Sequence, residues 1–125
     1  MQHQTFYFEK PGKENTVETL QAARRRAEEL GIRQVVLAST HGYTAREAAR
    51  IFEGFDARIV AVSICAAYQD KGWTITSEER ASVETLGVQV LTSIHSLGDD
   101  VNEAFEVKGP NRIVRETLYT FCQGM

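Results

Sequence analysis

Two cysteines in 125 residues, Cys65 and Cys122, are too few and too unpatterned for a disulfide framework or a zinc site. Basic residues are not in excess: 14 lysines and arginines stand against 17 aspartates and glutamates, a formal charge of −3. That balance argues against nucleic acid and against an anionic membrane surface, both of which reward a basic patch. No apolar run approaches the ~18 residues of a membrane span, and Met1-Gln2-His3-Gln4 is not the start of a signal peptide. The expectation is a reduced, cytoplasmic protein. The nucleophile elbow, the Walker A loop, GxGxxG and HExxH are absent too, so no common catalytic signature assigns a reaction. Without a nucleotide-phosphate lysine loop or a carboxylate pair for Mg²⁺, kinase activity is not expected either.

What is present is an ordinary globular balance, 42% apolar and 25% charged. A chain of this length reads as a single domain over residues 1–125, burying roughly two-thirds of its unfolded surface. Its elements alternate in period. Phe6-Tyr7-Phe8 reads as a short aromatic strand ended by Lys10-Pro11-Gly12-Lys13. Asn15 and Glu18 have capping-box spacing, and Val17, Leu20, Ala23, Ala27 and Leu30 follow at helical intervals until Gly31. Gln34–Ala38, Ile59–Val62 and Val88–Leu91 are short apolar runs, as expected of strands covered on both faces. Thr44 with Glu47, and Thr76 with Glu79, cap the helices between them, and Pro110 and Asn111 open a last one.

Such alternation predicts an α/β fold, a three-layer, doubly wound, mostly parallel sheet with helices on both faces. Right-handed crossovers place the carboxyl ends of the strands on one rim, where ligands bind at the point of strand-order reversal. The rim segments are Lys10–Thr16, Ser39–Thr44, Ser63–Trp73 and Ser93–Leu97. Ser39-Thr40-His41-Gly42-Tyr43-Thr44 joins a buried strand directly to a helix start, where unpaired amides and the helix dipole attract anions. Hydroxyls and a glycine permitting close approach suit a phosphate. The same residues are equally consistent with Thr44 capping its own helix and Ser39 and Thr40 satisfying loose amides.

The stretch Val35–Arg50 resembles the C-terminal α/β domain of pyruvate kinase, in which an apolar strand enters a Ser/Thr-Gly turn and an Ala-rich helix. Tyr7–Thr16, Leu91–His95 and Gln123-Gly124-Met125 are similar to stand-alone members of that superfamily. The resemblance implies a phosphate site at Ser39, Thr40, His41, Gly42, Tyr43 and Thr44. It also suggests flavin mononucleotide (FMN) as the first candidate ligand, and it names no reaction. It further implies a strand after Met125 that this sequence lacks, beside Val35–Ala38. Either Phe6–Phe8, a second copy of the chain or another chain is then expected along that edge, or the sequence is a fragment. After the second strand, Ser63-Ile64-Cys65 stands where those relatives tend to carry a histidine.

Lys10, Gly12, Asn15, Tyr68 and His95 are further candidate ligand contacts from the rim. His41 and His95 could meet at a metal with Asp99 or Asp100, but their spacing matches no ligand motif, so no metal is expected. Tyr68 and Trp73 are placed to stack on a ring or to pack on the surface. Cys65 reads as a buried thiol, and Arg24-Arg25-Arg26 as a solvated helix face. The leading expectation is a domain that binds a phosphorylated small molecule. A flavin-dependent enzyme and a structural fragment assembling with another chain are the alternatives.

Overall fold

The computed structural model describes residues 5–94 and 112–123. Helix α1 spans Thr16–Leu30 and is stopped by Gly31. Strand β1 is Gln34–Ala38, α2 is Tyr43–Ile51 and β2 is Arg58–Ser63. Helix α3 is Ser77–Glu84, β3 is Gln89–Thr92 and α4 is Arg112–Gln123. Short 3-10 segments occupy Lys13–Asn15 and Ala66–Lys71. The strands are parallel in the order β1-β2-β3, with Val36 beside Val60 and Ala61 beside Val90. The mostly parallel α/β architecture expected from the alternating periods is present.

Among the described residues the core lies on one side of this sheet. Ala45 and Ala48 are fully buried, and their small side chains let α2 lie close against β1 and β2. Leu20 and Ala27 of α1 join them, as do Val83 of α3 and the inward residues Ile59, Ala61 and Val90. Arg24, read from the sequence as solvated, instead closes the far end of α2. Its guanidinium donates to the carbonyls of Ile51 and Glu53, groups that the helix leaves unpaired at its negative end.

Among the described residues α1, α2 and α3 pack on one face of the sheet, and on the other Val36 of β1 is 70% exposed and Leu91 of β3 is also open. The right-handed crossovers from β1 to β2 and from β2 to β3 run in one direction, which drops α2 and α3 on the same side. Two expectations are corrected. First, Phe6–Phe8 forms no strand; Phe6 lies against the Arg25 guanidinium, 5.6 Å from ring to cation. Among the described residues β1 therefore pairs with β2 alone. Second, only one of three anticipated capping boxes forms. Thr76 and Glu79 exchange hydrogen bonds as expected. Asn15 does not cap α1, because its amide donates to the Lys10 carbonyl at 2.7 Å. Thr44 does not cap α2, which starts one residue earlier from Gly42.

Candidate functional site

The chain leaves β1 with its sheet pairing continued, Ser39 N–H donating to Val62 O at 2.9 Å. The buried Ser39 hydroxyl then accepts from the Ala45 amide at 3.3 Å, doing the capping expected of Thr44 from the strand end. Gly42 precedes the helix with φ +79°, the left-handed region glycine favours. A Cβ at this position would meet Val83 Cγ2 at 2.6 Å and Arg46 Nη1 at 2.8 Å. Gly42 is buried, and its lack of a side chain makes room for Val83 of α3.

The amides that follow are a different matter. Gly42 offers no side-chain cap, and the first turn of α2 holds no acidic residue. The Tyr43 and Thr44 N–H groups have no partner among the described residues. Helix α3 is the contrast: its start carries Glu78 and Glu79, and its capping box is closed. An anion is thus favoured at α2 and opposed at α3.

Positive side chains gather at the start of α2. Lys13 Nζ stands 3.8 Å over the Tyr43 ring, and Arg46 donates to the His41 carbonyl at 3.4 Å. His41 Nδ1 lies 3.1 Å from Glu79 Oε2, the oxygen that also accepts from Thr76 N–H. That backbone bond, reinforced by the one from His41, holds the Glu79 carboxyl below the usual carboxylate range. An ionised carboxylate only accepts, so Nδ1 carries the hydrogen of this bond.

Beside the turn, past the strand ends, opens a cleft of about 550 Å³. Ala38, Val62, Ile64, Leu91 and Ile94 give it an apolar lining, and Ser39, Thr40, Ser63 and Ser93 add hydroxyls. The size and the mostly apolar walls with a few polar groups suit a small organic ligand. A smaller cavity of about 270 Å³ lies nearby, lined by Gln69, Thr76, Arg80 and Thr92 among others.

The structure thus brings together the Ser39–Thr44 turn and the ends of all three strands. Lys10, Gly12 and Asn15 belong to the bend that brings Lys13 to Tyr43, and Lys13 is a candidate that the sequence reading did not single out. Its signal was the second lysine of Lys10-Pro11-Gly12-Lys13. Tyr68 is buried and stacked on Trp73 with centroids 5.4 Å apart, and Lys71 lies over both rings. It lines neither of the two cavities. Cys65 is a buried thiol, as expected. His95, Asp99 and Asp100 lie outside the described residues. Within those residues no group of three His, Cys, Asp or Glu side chains could hold a metal, and no helix is long and apolar enough to cross a membrane.

Fold and rim together define a parallel α/β domain with a cleft at the carboxyl ends of its strands, lined in part by Ser39 and Thr40 of the turn that leads into α2. Residues 17–118 match the family model for the pyruvate kinase alpha/beta domain, and the chain belongs to that family.

Proposed function

We propose that this domain binds a phosphorylated small molecule, its phosphate on the start of α2 and its apolar body in the adjoining cleft. One observation carries the reading. The amides of Tyr43 and Thr44, unpaired among the described residues, follow Thr40 in the same turn, and Thr40 lines the 550 Å³ cleft. Lys13 and Arg46 supply countercharge. FMN is the first candidate. Its phosphate suits the open amides, and a flat ring suits walls made of Ala38, Val62 and Leu91. When bound, it would supply redox chemistry.

Fluorescence titration with FMN tests the proposal. Thr40 is exposed, so Thr40→Ala should leave stability unchanged yet weaken FMN by roughly tenfold, and inorganic sulfate should compete. Failure of both FMN and sulfate to bind refutes it. Unchanged affinity in the variant removes Thr40 from the site.

A second reading, assembly through the sheet edge, has its own observation. Strand β1 is a run of Gln, Val, Val, Leu and Ala without a charge, unpaired on one side among the described residues. Exposed edges of this kind recruit partners unless charge or proline blocks them. Light scattering should then show an oligomer that Val36→Lys disperses; a monomer at high concentration contradicts it.

A further inference from the structure

Ser63 is the anomaly among the inward residues of β2. Ile59 and Ala61 precede it on the same face, and its side chain is polar although it is only 4% exposed. A hydroxyl buried there needs a partner, since an unpaired one costs about 1–3 kcal/mol. Its partner is Thr92 of β3, Oγ to Oγ1 at 2.5 Å, across the register that sets Ser63 beside Thr92. Thr92 in turn accepts from Arg80 Nη2 at 2.6 Å. Arg80 is itself fixed by donating to Val90 O at 2.9 Å and to Glu84 at 3.2 Å.

This chain has a direction. A guanidinium only donates, so Thr92 receives at its oxygen. Accepting from a cation polarises the Thr92 hydroxyl and makes it the better donor of the two, so it gives its hydrogen to Ser63. The Ser63 O–H then has no acceptor among the described residues. Ser63 lines the large cleft, whereas Thr92 and Arg80 line the smaller cavity behind it.

We propose that Ser63 is the specificity-determining donor of the cleft, held in that role by Thr92 and Arg80 as positioning residues. The ligand class it selects is a heteroaromatic ring with a carbonyl oxygen or pyridine-type nitrogen on its edge. This assignment rests on the cleft being the ring site of the phosphorylated ligand proposed above.

The test uses three probes on the whole chain: FMN, the flavin ring without ribityl phosphate, and inorganic sulfate. Ser63→Ala should weaken FMN and the bare ring by about tenfold, the worth of one hydrogen bond to a buried donor, and leave sulfate unchanged. Thr92→Val should reproduce the loss, and Thr92→Ser, which keeps the hydroxyl, should restore it. An equal loss for sulfate would mean general damage and overturn the proposal. FMN binding that Ser63→Ala and Thr92→Val leave unaltered overturns it while sparing the phosphate site. A parent protein that binds neither FMN nor sulfate overturns both.

Discussion

Replacing Gly42 by alanine tests how the turn is built. Two costs can be worked from the structure. The backbone sits at φ +79°, and holding an alanine in the left-handed region costs roughly 1–2 kcal/mol. The added methyl would lie 2.6 Å from Val83 Cγ2, a side chain with no exposed surface and no room to retreat. Overpacking of this kind costs about 1–3 kcal/mol. The Arg46 contact at 2.8 Å adds little, since the far end of a flexible side chain can swing away. Gly42→Ala should therefore lose about 2–5 kcal/mol, a large share of the ~5–15 kcal/mol that holds a domain together. Urea unfolding followed by circular dichroism measures it. Val83→Ala separates the two causes, because it removes the clashing methyl at its own cost of about 2 kcal/mol. In the double variant the steric part should vanish and the backbone part remain, a favourable coupling of at least about 1 kcal/mol. A Gly42→Ala protein within about 0.5 kcal/mol of the parent would refute this account. Strict additivity with Val83→Ala would refute its steric half.

Two further predictions concern caps and charge. Ser39→Ala should cost about 1 kcal/mol through the lost bond to the Ala45 amide, and Thr44→Ala less than about 0.5 kcal/mol; urea midpoints showing the reverse order would return the cap to Thr44. Glu79 is held below its ordinary 4.5 by the Thr76 amide and then by His41. A depressed folded value means stability that is present above 4.5 and lost as the pH falls through the folded value. Glu79→Gln should flatten that acid limb of melting temperature against pH while keeping the capping geometry, and an unchanged acid limb would show that the pair is energetically silent.

Much of the fold was legible because it is written in local pattern. Three apolar runs became three parallel strands, and Gly31 stopped α1, since period and helix stops need only neighbours in sequence. The box at Thr76 and Glu79 formed, whereas the same spacing at Thr44 and Glu47 did not. Glu47 pairs with Arg50 instead, and Ser39 reaches the open helix end from the strand. Capping depends on where the helix begins, which here is decided by Gly42 turning left-handed beneath Val83, forty-one residues along the chain. The site divides the same way. The turn at Ser39–Thr44 could be read from a strand running into a helix, but its charges could not. Lys13 arrives through the fold of the first segment, and Glu79 reaches His41 from α3, the helix beyond β2. Likewise Ser63 and Thr92 are one hydroxyl pair only because β2 and β3 lie in register. Periodicity decides which residues turn inward, but only the closed sheet and its packed helices decide which inward residues meet, because those distances are set by contacts between segments remote in sequence.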